Sequence, residues 1–564
     1  MHRGNILMKR KKTWFTLLLA LSFAFTAACS DKQEPSASSG TAGKPAEGDA
    51  PGPMGKYASP VTINLGYYNP GEVKWPAGSN DTLQDNRYTR LIEDTLNIKI
   101  QHAFEVPQTG YEDKVSLLIS SNDIPDFMFV SEGQFKIMAD SDMLEDMTAA
   151  YNNYASPLLK DVISGFGPEF MKKVTYNGKM LGIPSTSPAH DSDGVVWIRK
   201  DWLKNVGIDL PEVIKMDDLE KVAKAFIEND PDQNGKKDTY GIQSTSSFVT
   251  STVGYNSLDL IFTAYNAYPK TWRKDANGQI VYGSLLPETK QALSKLRDMY
   301  AGGMLDKEFG TVKTDQFAKD ISAGKAGISM GYTWAPMKAL ADSVKNNPKA
   351  EWGAYMLVSP DGKLHARQPN PLGRIMAVKK GAKHPEAIIK LINLFATMDN
   401  NAPDAPKVYA DSPGTNWTVR PIQMTFRTKN TVRDRFQRFQ DAAAGKLKRE
   451  QLPESDQGIY DNYTKGLDAL KASPQDWAYV LYQFVGGKMV LRPEVVEEYN
   501  QFYGITKSME TKWANLTKLE DEAFIRIIVG DKPVDYFDTF VTEWKKQGGD
   551  DVTKEVAKEA ERLK

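Results

Sequence analysis

Between residues 230 and 238 the chain reads Asp-Pro-Asp-Gln-Asn-Gly-Lys-Lys-Asp, with oxygen side chains at positions 1, 3, 5 and 9 and glycine at position 6. Carboxylate and amide oxygens at that spacing suit Ca2+, glycine suits the sharp turn, and position 7 offers a backbone carbonyl, here that of Lys236. Position 12 is Gly241, so the bidentate glutamate of a full EF-hand is missing. Asp238, with help from elsewhere, has to supply that ligation. A polar turn between a helix and a strand is the plainer reading of the same residues. We expect Ca2+ held by Asp230, Asp232, Asn234, Lys236 and Asp238, in a structural role, because such loops rarely leave a position open for chemistry.

No other spacing announces a reaction. There is no His-Glu-x-x-His and no phosphate-binding glycine loop followed by Lys-Ser/Thr. Five histidines leave little general-base capacity of that type. His190 beside Asp191 and Asp193 reads as a solvated loop before it reads as a metal or acid/base cluster. A carboxylate pair for glycoside hydrolysis need not be close in sequence, and nothing marks one among 72 Asp and Glu. Aromatic loops remain. Tyr68 and Trp75 follow a first strand, Trp334 follows a strand over 326–330, Arg374 precedes another, and Trp417 lies in a loop rich in Pro, Gly and Asn. Flat aromatic faces suit the C–H face of a pyranose, and Arg suits its hydroxyls or a carboxylate. Each of these tryptophans can equally fill a core, and Arg374 can equally form an interlobe ion pair. Their placement in loops favours ligand contact.

Cys29 is the only cysteine in 564 residues. It follows a basic cluster, Lys9-Arg10-Lys11-Lys12, an apolar run over 14–25 and the small residues Thr26-Ala27-Ala28. That is an export signal, too short to span a bilayer. A cysteine at the first position after the cut can carry lipid, and the pattern resembles the lipobox of bacterial lipoproteins, although Thr26 stands where Leu is usual. Residues 29–59 are rich in Ser, Gly, Pro and Ala and read as a flexible tether reaching about 30 Å.

The elements that position these residues follow from periodicity. Val61, Ile63, Leu65 and Tyr67 alternate as a strand. Tyr88, Leu91, Ile92 and Leu96 share a helix face, and 97–104 returns as a strand. A helix over 111–120 and a short apolar strand over 125–130 complete β-α-β-α-β, hence a parallel sheet with its ligand edge at the carboxyl ends of the strands. Asp217 with Glu220 has capping-box spacing ahead of an amphipathic helix. From about Pro421 onward the pattern is mostly helical. A mature chain of this length needs more than one core. Lys+Arg total 71 against 72 Asp+Glu, which gives no field for nucleic acid.

Several stretches, taken in order, resemble extracellular solute-binding proteins, family 1, of ABC importers. They are Ser121–Asp126, Asn177-Gly178-Lys179 with Gly182-Ile183-Pro184, Trp197–Leu203, Ala225-Phe226 through Gly241, Val378–Gly381 with His384–Ala387, and Tyr536-Phe537-Asp538 with Trp544 and Gly548-Gly549-Asp550. The nearest likeness is to the large oligosaccharide-importer branch related to alginate-binding proteins. The resemblance implies an α/β, type II, periplasmic-binding-protein-like clamp of two lobes with hinge crossings. It implies Ca2+ in the 230–238 loop and sugar contacts near Trp334, Arg374 and Trp417.

The resulting expectation is a non-enzymatic monomer anchored through acylated (palmitate-bearing) Cys29 to the outer face of the cell membrane. It captures an oligosaccharide and delivers it to ABC permease subunits. Expected segments are a signal peptide over 1–28, the tether over 29–59, lobe 1 over 60–184 and 370–430, and lobe 2 over 185–369 and 431–564. A surface-anchored polysaccharide hydrolase or lyase is the alternative, and a static adhesin with the same fold is a third reading.

Overall fold

The computed structural model describes residues 52–71, 73, 75, 78–406 and 419–563. Cys29 and Trp417 lie outside the described residues, as do the signal segment and most of the tether.

Eleven strands position the site. In chain order they are β1 (Val61–Asn69), β2 (Ile98–Pro107), β3 (Phe127–Val130), β4 (Gly182–Thr186), β5 (Gly194–Arg199), β6 (Val213–Ile214), β7 (Ile328–Tyr332), β8 (Trp352–Leu357), β9 (Leu364–Arg367), β10 (Leu372–Val378) and β11 (Val495–Glu498). The first sheet runs β2-β1-β3-β10-β4. Its β1, β2 and β3 are parallel, joined by helices Arg87–Leu96 and Tyr111–Ser121, while β10 pairs antiparallel with both β3 and β4. The second sheet runs β7-β5-β8-β6, with β5 antiparallel to both of its neighbours. Strands β9 and β11 form a separate parallel pair, with Leu364 opposite Val495 from the far end of the chain.

Each sheet has its own core. One cluster gathers residues 57–183 and 372–426, and the clusters on the second sheet gather residues 195–364 with 439–556. The chain therefore builds two α/β lobes and crosses between them near residues 187–193, 368–371 and 427–430. Helix Pro385–Asp399 shows why the first core is deep: Ala387–Ala396 are buried on every side, as in a helix apolar all round. Burying each large aliphatic chain there stabilises the lobe by about 1.5–3 kcal/mol.

Three boundaries differ from expectation. Order begins before residue 60, because Tyr57 is buried, its hydroxyl donates to Glu386 at 2.6 Å and its N–H donates to Leu96. The tether reading failed there because a single aromatic in a Gly/Pro stretch carries no periodic signal. Ser185 and Thr186, expected in lobe 2, are the last residues of β4 in the first sheet. The helix expected to begin at Asp217 spans Met216–Glu228, and it is Asp218 that reaches back to the Lys215 N–H at 2.9 Å. Among the described residues, no helix is long and apolar enough to cross a membrane.

Candidate functional site

At the carboxyl ends of β1 and β3 and the start of β10, lobe 1 presents Arg374. Its backbone is fixed by Ser185, whose hydroxyl accepts from the Arg374 N–H at 2.7 Å and bonds the Arg374 carbonyl at 2.9 Å. Its guanidinium carbon lies 5.4, 5.6 and 4.9 Å from the ring centres of Tyr68, Tyr111 and Phe129. Those rings are themselves packed edge-on and stacked. Glu112, in the first turn of helix Tyr111–Ser121, lies 3.5 Å from Nη2, while Nη1 is buried without a hydrogen-bond partner. The cation is thus held by ring faces and retains donor capacity. Tyr68 is 6 % exposed, within β1 rather than in the loop after it. It serves as the floor under Arg374, and burial pushes its phenol up despite the cation. Trp75 is half-buried against the lobe 1 core.

Lobe 2 presents Trp334 just after β7. Its ring stacks on Tyr332 at 4.3 Å between centroids and 15° between planes. Below, the Trp197 indole N–H donates to the Tyr332 carbonyl at 3.1 Å, and the Thr333 N–H donates to the Asp193 carbonyl at 2.9 Å. The aromatic pair is therefore tied to the crossing that begins β5. Tyr332 is the last residue of β7 and not part of a loop after a strand over 326–330.

A cavity of about 330 Å3 lies between the lobes, lined by Glu132, Phe170 and Lys173 on one side and Ile280, Phe502 and Tyr503 on the other. Tyr68, Trp75, Trp334 and Arg374 do not line it.

The acidic loop folds around Asn234. Asp230 caps the turn, its two oxygens accepting from the N–H groups of Asn234 at 3.0 Å and Gly235 at 2.9 Å. Gly235 takes φ +80°, as the sharp turn requires. The Asn234 Nδ2 donates to Asp232 at 2.8 Å and to Asp238 at 3.1 Å, while Asp232 Oδ1 is buried with no hydrogen-bond partner. Burial, then the Asp230 and Asp238 carboxylates, push the Asp232 carboxyl up. Crowded acids with one orphaned oxygen are what a cation would relieve. Among the described residues, no three of His, Cys, Asp and Glu are arranged as a metal site, and the Asn234 amide bridges Asp232 and Asp238. The missing position-12 glutamate has a steric reason: a Cβ on Gly241 would come 2.5 Å from the Met304 carbonyl oxygen.

His190 is a correction. It is fully buried, not solvated, with Nδ1 at 2.7 Å from Asp193 and Nε2 at 3.1 Å from Glu497. The sequence hid this because Glu497 is 307 residues away.

Residues 93–402, more than half of the chain, match the family model described as bacterial extracellular solute-binding protein. Lipoprotein LipO of Bacillus subtilis (strain 168) is 25% identical over 80% of this chain and 84% of its own. The polygalacturonan/rhamnogalacturonan-binding protein YtcQ of the same organism is 23% identical over 83% of this chain and 87% of its own. A solved structure of the S. pneumoniae ABC-transporter substrate binding protein FusA, an EF-hand mutant in complex with fructo-nystose, shares the fold with a TM-score of 0.58. It is 16% identical and covers 89% of this chain and 99% of that one. YtcQ and FusA are named as binding proteins rather than as polysaccharide hydrolases or lyases. The two-lobed α/β fold and the match over 93–402 together place this chain in the bacterial extracellular solute-binding protein family.

Proposed function

We propose that this solute-binding protein captures an oligosaccharide between its lobes, does not cleave it, and hands it to the membrane subunits of an ABC importer. The observation that carries the reading is that each lobe presents a different kind of surface next to a crossing. Lobe 1 offers the Arg374 cation on an aromatic floor, and lobe 2 offers the Tyr332–Trp334 stack. A stacking face and a donor-rich cation are complementary to a sugar ring and its hydroxyls or carboxylate. Closure of two lobes around such a ligand follows the hinge repertoire of binding proteins. The polysaccharide named for YtcQ and the fructo-nystose bound by FusA support the substrate class.

Lobe 1 comprises residues 52–186 and 372–426, and lobe 2 comprises 194–367 with 431–563. Trp417 contributes a further contact, and Trp75 flanks the floor. Cys29 carries acyl chains that anchor the protein outside the membrane, in keeping with the lipoprotein name of LipO. The tether keeps the lobes near the permease, where high local concentration replaces tight docking.

The Asp230–Asp238 loop takes Ca2+ through Asp230, Asp232, Asn234, the Lys236 carbonyl and Asp238. The unpartnered Asp232 oxygen and the crowding of carboxylates support this. When bound, the ion supplies charge neutralisation and nothing catalytic.

The test is a melting-temperature screen of the purified protein against neutral and acidic oligosaccharides, run beside a reducing-end assay. A stabilising sugar recovered intact supports the proposal. Release of new reducing ends, or no sugar that stabilises, overturns it.

A further inference from the structure

The imidazole of His190 faces a carboxylate at each nitrogen. Asp193 Oδ2 lies 2.7 Å from Nδ1, and Glu497 Oε1 lies 3.1 Å from Nε2. A neutral imidazole has one N–H and serves only one of them, so satisfying both carboxylates takes the doubly protonated ring. We infer that an imidazolium at His190 clasps the interlobe crossings to β11, and that loss of its proton releases them. The inference rests on the two-lobed fold and is independent of what the cleft binds.

The network supports a clasp rather than an isolated pair. The His190 N–H donates to Gln368 Oε1 at 2.7 Å, and Gln368 Nε2 donates to Asp193 Oδ1 at 2.9 Å, so the second crossing is bound to the first. The Ala189 N–H donates to the Lys429 carbonyl at 3.0 Å, and Lys429 Nζ lies 3.3 Å from Glu497, which brings in the third. Tyr499 donates to Glu497 at 3.0 Å. Asp191, next in the chain, feels Arg427 and Asp193, and burial pushes its carboxyl up. His190 itself sits at φ +65°, a left-handed conformation that a non-glycine residue holds only where its surroundings impose it.

The sign of the effect follows. Burial opposes the charged ring, but the bonds to Asp193 and Glu497 outweigh it and raise the His190 pKa to about 9. Stability from this group is present below the ordinary histidine range and is lost as pH rises through about 9. Asp193 is fully buried and keeps Gln368, whereas Glu497 is 27% exposed and keeps Lys429 and Tyr499. The bond that opens is therefore His190–Glu497. Because the Asp193 carbonyl also holds the Thr333 N–H, freeing this crossing loosens the support of the Tyr332–Trp334 stack.

The test uses the full chain without ligand. Melting temperature is followed from pH 6 to 10 for wild type, His190→Gln and Glu497→Gln, with amide exchange of residues 186–194, 367–372, 425–431 and 495–499 at matched pH. Wild type is expected to lose stability in a one-proton step near pH 9, with exchange in those segments rising tenfold or more relative to the sheet cores. Glu497→Gln moves the step down by a unit or more, and His190→Gln removes it. A step that persists in His190→Gln, or a midpoint unmoved in Glu497→Gln, overturns the inference. If His190→Gln does not fold, NMR titration of labelled histidine in wild type and Glu497→Gln decides. An ordinary histidine midpoint in wild type, or the same midpoint in both proteins, overturns it.

Discussion

The carboxylates at the lobe crossing and those in the Asp230–Asp238 loop face the same electrostatic problem with different partners. At the crossing, Asp193 and Glu497 flank an imidazole of the chain's own, with every contact supplied from within. In the loop, three aspartates crowd an amide that carries no charge, and one carboxylate oxygen has no partner. The first cluster is complete as folded, and its removal damages the fold. The second is incomplete, and the Ca2+ proposed for it would come from solution. Burial separates them: a buried carboxylate needs its partner at all times, whereas an exposed loop tolerates a partner that comes and goes.

The largest effect tests the complete cluster. Asp193→Ala strands the imidazole and the Gln368 amide in the interior, and breaking such a buried pair is expected to cost about 3–5 kcal/mol in calorimetry at pH 7. Asp230→Ala in Ca2+-free buffer is expected to cost about 1 kcal/mol, the scale of a turn's hydrogen bonds. Equal losses would erase the contrast between the two clusters.

Next comes the incomplete cluster. Ca2+ at a hundredfold excess over its dissociation constant is expected to stabilise the protein by about 2.7 kcal/mol, a gain that a chelator reverses and Asp230→Asn abolishes. A melting temperature indifferent to both Ca2+ and chelator would remove the metal from the account.

A third carboxylate sharpens the rule. Glu520 is fully buried and accepts from Tyr282 at 2.9 Å and Ser284 at 2.7 Å, with no cation in direct contact among the described residues. Burial, only partly offset by Lys270 and those hydroxyls, raises its pKa to about 7. A carboxyl raised on folding favours the fold at low pH, and that contribution is lost as pH climbs from about 4.5 to about 7. Glu520→Gln is therefore expected to stabilise the protein at pH 8 by about 2 kcal/mol and to change little at pH 4, measured by denaturant titration. Destabilisation at pH 8 would mean that the carboxylate has a cationic partner after all.

The smallest change in stability belongs to the proposed ligand surface. Trp334→Ala, on a half-buried stack, is expected to alter folding by about 1 kcal/mol while weakening sugar binding about tenfold by calorimetric titration. Unchanged affinity would make Trp334 a packing residue only.

Much of lobe 1 was legible because its signals are local. Alternation in Val61–Tyr67 and the helical spacing of Tyr88, Ile92 and Leu96 are set within a few residues, and β1, β2 and β3 pair in parallel as that order requires. What escaped was set at a distance. Val495–Glu498 lacks a helix or strand period of its own and becomes a strand only beside β9. Tyr68 looked like a loop aromatic until β1 extended through Asn69, and His190 looked solvated until Glu497 arrived from the far end of the chain. In the loop, sequence supplied the donors and the missing glutamate, while the clash of Gly241 with Met304 explains that absence.

Closure of the two lobes on an oligosaccharide is the central claim of the proposed function. Small-angle X-ray scattering of the full-length protein, with and without the sugar that most raises its melting temperature, tests it directly. The account predicts a smaller radius of gyration on binding, and less of that change in Trp334→Ala at the same sugar concentration. A stabilising sugar that leaves the radius unchanged would contradict it.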